Sequence, residues 1–439
     1  MNDEVEQAFV VHHSSFVHHR SLFRFVLVAG ILLRAVVFLT ASPFNPDEHL
    51  QVIDFIVTQH RLPASLELGQ AHHPPLYHLL MAPIWAVTGS VKLLHFVSLG
   101  FSVVNLLIIA KLLGKLIASK TVRVIALAFA AFLPQLVMYG SFVSNDSLTI
   151  LLGTLIFLRA IQYVDEPTTR NAVAMSIVCA LGLLTKGTLL LSPLALLVCV
   201  ISVHGRSKLA LRHAMLVLSI CIVLGGYKYA ENIAHYGRPF VHNLDPDSDW
   251  KRDQQGKWRS LSARWNLDLS HLLREPILKV RHPASYPMLM YATLWYPHWP
   301  DSSYRANVNG YAWVGQYLYL TGVVPTLILG IGLLRALVSF PIGKNAIRTM
   351  AAVMLLGNIA VVMAAGIRFD VWSCFQSRLC FASFAAGLFL FADALELSRI
   401  RRFVIPLVML TLIGCVLYFV VEIGFLYGLL PKGTPVTPD

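Results

Sequence analysis

Apolar runs of about 20 residues recur from residue 22 to residue 427, each about long enough to cross the hydrocarbon of a bilayer as a helix. Inside hydrocarbon a backbone must satisfy its own hydrogen bonds, which confines such runs to helices or closed barrels. Their length is that of helices. About eleven are legible, near 22–41, 93–113, 122–140, 147–163, 171–185, 188–203, 213–230, 312–335, 347–366, 378–395 and 403–427. Only 13% of the 439 residues are charged, against about 25% in soluble domains. The expected fold is an all-α polytopic membrane protein, one membrane domain over residues 1–439.

Basic residues orient it. With the N-terminus inside, the inner connections carry Lys111, Lys115, Lys120 and Arg123, then Arg159 and Arg170, then Arg206, Lys208 and Arg212. Arg335, Lys344 and Arg348 follow, and finally Arg399, Arg401 and Arg402. The short loops opposite are poor in Lys and Arg, as the positive-inside bias requires. This bias also accounts for the formal charge of +12 without nucleic acid as a partner. Residues 1–21 then read as a cytoplasmic tail and 428–439 as an outer one. The tail pairs His12-His13 and His18-His19 read as flexible polar sequence rather than a metal site. The first span follows Arg20 and Arg24 and runs into Pro43 with no evident cleavage site, so it reads as a retained helix. The six cysteines show no metal-ligand spacing, and only Cys374 and Cys380 suggest a bridge.

Two outer segments are long. In the first, about 42–92, Asn45 can cap a helix, Pro46 suits its first position, and Asp47, Gln51, Asp54 and Thr58 share one face. A second short helix is expected from Pro74-Pro75 towards Trp85, too short to span and too apolar to leave the interface. The second segment, 231–311, holds Trp250, Trp258, Trp265, Trp295 and Trp299 beside Lys251, Arg252, Lys257, Arg259 and Arg264. It reads as an ordered loop against the membrane, either stacking on acceptor sugars or anchoring to anionic headgroups.

Candidate chemistry collects on the outer side. Asn45 followed by Glu48 is a capping box, and acids in a first turn complement the helix dipole. An ionised Asp47 or Glu48 there could also serve as general base for a hydroxyl. Asn145 and Asp146 open the fourth span, and Lys186 occupies the outer turn Leu184-Thr185-Lys186-Gly187. His72, His73 and Tyr77 flank the second short helix; Arg368, Asp370 and Arg378 bracket the outer turn before the tenth span. Each has a structural reading: a helix-terminal acid for Asp146, snorkelling for Lys186, and pairing of Arg368 and Arg378 with Asp370. Arg34, inside the first span, is expected to have a structural partner.

Asn45-Pro46-Asp47-Glu48-His49-Leu50-Gln51 resembles the Pro-Asp-Glu signature in the first outer loop of GT-C superfamily membrane glycosyltransferases. His73-Pro74-Pro75-Leu76-Tyr77 is similar to their Pro-Pro-Leu motif. Leu-Thr-Lys ending at Lys186 recurs in these families, and Gln376-Ser377-Arg378-Leu379 resembles their Gly-Arg-Tyr motif with Ser and Leu in place of Gly and Tyr. The likeness spans about 45–190 and 366–390 and leaves 231–311 unmatched.

The resemblance implies a GT-C-like bundle that uses polyprenyl-phosphate sugars as donors. It implies an acid of the first outer loop as base, Asp47 with Glu48 as the alternative, and donor-phosphate contacts from Arg378 and Lys186, with His72, His73 and Arg368 as further candidates. The expected acceptor is a glycan, lipid or protein at the periplasmic or lumenal face. No cofactor is required in principle, because phosphate is already a good leaving group; dependence on a divalent metal is left open. The rival classes are a lipid or sugar transporter and a non-catalytic membrane subunit. Few outer N-glycosylation sequons favour a bacterial inner membrane over the endoplasmic reticulum.

Overall fold

The computed structural model describes the backbone of residues 3–40, 47–140, 142–276, 285–296, 311–339, 345–397 and 401–426, with side chains from Arg20 to Gly424 except Trp250. Helices make up nearly all of it. α1 (Asp3–Thr40) leads to two short helices, α2 (His49–Gln59) and α3 (Leu76–Thr88). Then come α4 (Val91–Leu116), α5 (Lys120–Phe132), α6 (Pro134–Tyr139), α7 (Asp146–Asp165) and α8 (Thr169–Leu183). α9 (Ser192–His204), α10 (Lys208–Gly225) and α11 (Tyr227–Tyr236) precede three short loop helices, α12 (Asp249–Gln254), α13 (Leu269–Arg274) and α14 (Tyr286–Trp295). The chain closes with α15 (Ala312–Thr321), α16 (Val323–Val338), α17 (Ala346–Phe369), α18 (Phe384–Leu397) and α19 (Arg401–Leu426). Among the described residues the sole β pairing is an isolated bridge between Gln255 and Val371.

Nine helical stretches among the described residues are long and apolar enough to cross a membrane, and the chain is a multi-pass membrane protein. All eleven expected runs are helical, and two fall short of that length. The run at 122–140 is broken where Pro134 starts a new helix, since proline cannot donate within a helix. The run at 171–185 forms α8, of 15 residues. α1 begins at Asp3, so the helix of the first span continues back through the expected flexible tail.

The start of α2 differs from the expected capping box. The helix opens at His49, with Glu48 as the flanking residue in the left-handed region (φ 58°) and no side-chain cap. Asn45 and Pro46 lie outside the described residues. The carboxylate of Asp47 is taken by a distant arginine instead, so it cannot also serve the helix end. α2 packs on α3, where Trp85 donates to Asp54 at 2.9 Å.

Polar anchors and small residues set the helix spacing. Arg34 is fully buried and donates to Ser102 Oγ (2.9 Å) and to the carbonyls of Gly30, Ala130 and Ala131, tying α1 to α4 and α5. Those bonds satisfy a cation that hydrocarbon would otherwise penalise. Lys115 pairs with Asp165, while Arg348 (2.7 Å) and Arg335 (3.8 Å) converge on Asp393.

The cysteines among the described residues are all free, Cys374 and Cys380 included, so the suggested bridge is absent. Of the loop tryptophans, Trp258 and Trp265 are exposed and Trp295 is core. Trp299 and the Trp250 side chain, with the outer tail 428–439, lie outside the described residues.

Gly153 of α7 matters most for the site. A Cβ there would lie 1.8 Å from the carbonyl oxygen of Ala382, in the 3₁₀ segment Ser377–Ser383. Only a hydrogen lets that segment press its backbone onto α7. Gly153→Val is therefore expected to lower the thermal midpoint in detergent, with an overpacking cost of about 1–3 kcal/mol. Gly100→Ala in α4, which meets nothing within 4 Å, should leave the midpoint the same or slightly higher, because alanine favours the helix.

Candidate functional site

Four charges from four separate segments form a chain near the ends of the helices. Arg378 donates to both carboxylate oxygens of Asp47, at 2.7 and 3.2 Å. Its Nη1 also reaches Asp146 at 2.8 Å, and the other oxygen of Asp146 accepts from Lys186 Nζ at 2.5 Å. Arg378, Asp146 and Lys186 are nearly inaccessible, whereas the Asp47 side chain keeps 18% of its exposure. The order Asp47–Arg378–Asp146–Lys186 alternates in sign and sums to zero. Buried charges are tolerated when each is paired in this way.

Local structure sets each member. Asp146 starts α7, where the helix dipole favours an acid, and exchanges bonds with Ser144 at 3.2 Å. Asn145, just before it, donates to the Thr185 carbonyl and so joins α7 to the Lys186 turn (3.4 Å). Arg378 donates through Nε to Gln376 (2.7 Å) and stacks 4.5 Å over Tyr139. Burial alone would push the Asp47 carboxyl up, but the guanidinium charge and hydrogen bonds outweigh it and hold it below the ordinary carboxylate range.

A second layer is imidazole. His49 and His78 share a 3.0 Å hydrogen bond, and the rings of His73, His72 and His242 follow with centroids 4.0 and 4.2 Å apart. His49 also stacks on His73 and meets the edge of Tyr77. Burial depresses all five, His49 and His242 to about 4, so the row is neutral near pH 7. Among the described residues, no three His, Cys, Asp or Glu side chains are placed to share a metal ion.

His72, His73 and His242 line a cavity of about 400 Å³ with Lys186, Lys228 and Arg368, over an apolar floor that includes Val361, Ala365 and Leu379. Cations and hydrocarbon in one lining suit an anionic lipid headgroup and its chain. Lys186 belongs to both the charge chain and this cavity.

The sequence candidates divide accordingly. Asp47, Asp146, Lys186 and Arg378 converge directly, with Asn145 bracing them; His72, His73 and Arg368 border the cavity; Tyr77 is buried against His49. Glu48 is exposed and outside the charge chain. Asp370 is a correction: it pairs with neither Arg368 nor Arg378. It takes Arg264 (3.1 Å), Arg259 (3.7 Å) and the Tyr286 hydroxyl (2.6 Å), clasping the long outer loop, while Arg368 pairs with Asp245 at 2.6 Å. That pairing also turns two of the loop's basic residues inward, away from headgroups.

Sequence reading missed His49, His78, Lys228 and His242. Lys228 carried a usable signal, a charge inside the expected span 213–230. His242 carried none, since only folding brings its loop beside His72.

Residues 72–225 match the family model of dolichyl-phosphate-mannose-protein mannosyltransferases. The resemblance to GT-C glycosyltransferases holds. The matched stretch includes His72, His73, Asn145, Asp146 and Lys186, with Asp47 and Arg378 outside it. No curated protein matches the chain. Similar solved structures include the Archaeoglobus fulgidus oligosaccharyltransferase tethered with an acceptor peptide, 13% identical, covering 95% of this chain and 56% of that one with a TM-score of 0.46. This chain thus spans little more than half the length of that relative. The oligosaccharyltransferase AglB of the same organism, with an inhibitory peptide and a dolichol-phosphate, is 12% identical over the same shares, TM-score 0.46. ArnT from Cupriavidus metallidurans bound to undecaprenyl phosphate is 13% identical, covering 84% of this chain and 76% of that one, TM-score 0.40.

Two outcomes are expected. Asp146→Asn leaves the buried Lys186 without its carboxylate and Arg378 with Asp47 alone and should cost about 3–5 kcal/mol, read as a fall in unfolding midpoint; Lys186→Met in the same protein should restore part of it. The histidines set a pH dependence. Their folded pKa values lie below the unfolded ones, so the folded state binds fewer protons. Stability should be full above about pH 6.5 and decline as pH falls towards about 4. Asp47 has the same sign in a lower window: its folded pKa is also depressed, so its contribution persists until pH drops below about 4. Thermal melts from pH 8 to pH 4.5 check the imidazole part alone.

Proposed function

We propose that this protein is a glycosyltransferase that moves one sugar from a polyprenyl-phosphate donor to an acceptor hydroxyl at the outer membrane face, with Asp47 as general base. One observation carries the reading. Lys186 joins the Asp47–Arg378–Asp146 chain to a cavity lined by both basic and apolar side chains. The base and a lipid-phosphate site are then linked through Arg378 and Asp146. The family match over 72–225 supports the same class of donor.

The chemistry balances on these groups. The acceptor oxygen attacks the anomeric carbon as the bond from that carbon to the phosphate oxygen breaks. The acceptor proton passes to Asp47, and the departing phosphate gains a negative charge. Arg378 and Lys186 meet that charge with charge-assisted hydrogen bonds, which are strongest where charge develops in a water-poor site. Direct displacement inverts the anomeric centre.

Resting Asp47 is a weak base because Arg378 occupies both its oxygens. Donor phosphate competes for the same guanidinium. As Arg378 turns to phosphate, Asp47 regains basicity, so the base is switched on only when donor is bound. Glu48, exposed and unengaged by the charge chain, is the lesser candidate. The positive-inside pattern supports an extracytoplasmic site, and scarce sequons favour a bacterial inner membrane.

The test is transfer from labelled polyprenyl-phosphate sugars in proteoliposomes. Asp47→Asn is expected to lower kcat by about 10²–10⁴ with folding retained, and Glu48→Gln to change it by less than about threefold. Normal transfer by folded Asp47→Asn removes Asp47 as the base. Movement of solute with no glycoside formed would instead make the protein a transporter.

A further inference from the structure

Resting on that reading, we propose that the acceptor is itself a membrane lipid, whose hydrocarbon chain occupies a second, wholly apolar cavity beside Arg378. The cavity measures about 580 Å³, and no charged residue lines it. It runs from Trp265 and Pro287 of the outer loop down to Leu329 of α16, Leu355 of α17 and Phe391 of α18.

The segment that carries Arg378 separates the two cavities. Residues three apart share a face of a 3₁₀ helix. Ser377, Cys380 and Ser383 line the apolar cavity, whereas Leu379 lines the basic one. Arg378 sits between, its guanidinium on Asp47. Each cavity therefore ends one residue from the same arginine, one fitted to a charged head and one to a neutral one.

Chemistry narrows the occupant. An extended peptide would bring N–H and C=O groups into a lining that offers them almost no partners, at a cost of several kcal/mol each. The donor phosphate would lack any cation there. A hydrocarbon chain loses nothing. At the head end waits the Ser377 hydroxyl, buried and without a hydrogen-bond partner, positioned to meet a polar headgroup next to the base. Trp265 at the rim suits the headgroup level of a bilayer.

Two measurements test this in proteoliposomes with a radiolabelled polyprenyl-phosphate sugar. The first offers two acceptor pools from the same membranes, a total lipid extract and delipidated protein. The expected product is a new glycolipid soluble in chloroform–methanol. Label on protein alone overturns the lipid acceptor while leaving glycosyl transfer intact; no transfer to either pool overturns both.

The second narrows the cavity. A Cβ on Gly387 would touch only Leu355 at 3.8 Å and Leu329 at 4.0 Å, so a larger side chain fits the open space. Gly387→Leu, and independently Met363→Phe from the α17 wall, are expected to raise the lipid acceptor's KM about tenfold while donor KM stays within about twofold. The unchanged donor KM also shows that each variant is folded. A rise in donor KM alone would assign the cavity to the donor's tail, and no change in either constant would leave it to bulk lipid. Both results overturn the proposal.

Discussion

The guanidinium of Arg378 is the constraint on which the rest of the site depends. It sits almost without solvent, and a cation so placed is stable only with anions in contact. Asp47 and Asp146 supply them from the residues before α2 and the start of α7, and Lys186 rebalances Asp146. Four stretches of chain, far apart in sequence, are thereby pinned within a few ångströms. The neutral sum matters: the site has no surplus charge to repel or trap a phosphate until one of these partners is exchanged.

Packing makes that pairing geometrically available. The missing side chain at Gly153 brings the Arg378 segment onto α7. Arg34, buried in bonds to α4 and α5, holds the first helix in register. Asp370 clasps the long loop through Arg259, Arg264 and Tyr286. Asp370 and Arg378 lie in one stretch of chain, which ties the loop to the segment that carries the site's central cation.

Much of this was legible beforehand. The apolar period announced the helices, and the grouping of Asp47, Asn145, Asp146, Lys186 and Arg378 was signalled by their common place beside the span ends, because hydrocarbon penalises charge the same way whatever the packing. The breaks were legible too: Pro134 signalled one, and the run at 171–185 was already as short as the 15-residue α8. The cap at Asn45–Glu48 looked sound by local rules, yet the nearest helix begins after both acids. Local propensity is worth about 1 kcal/mol, less than leaving a buried guanidinium without its carboxylate.

By itself the sequence determined the solvent of each segment, the helical class and the placement of ionisable groups beside the spans, since each follows from transfer free energies summed along the chain. Only the tertiary structure decided which acid meets which base. It gave Arg378 to Asp47 and Asp146, gave Arg368 to Asp245, and set His242 beside His72. Contacts between residues hundreds of positions apart depend on helix packing distances, and no local pattern of residues encodes those.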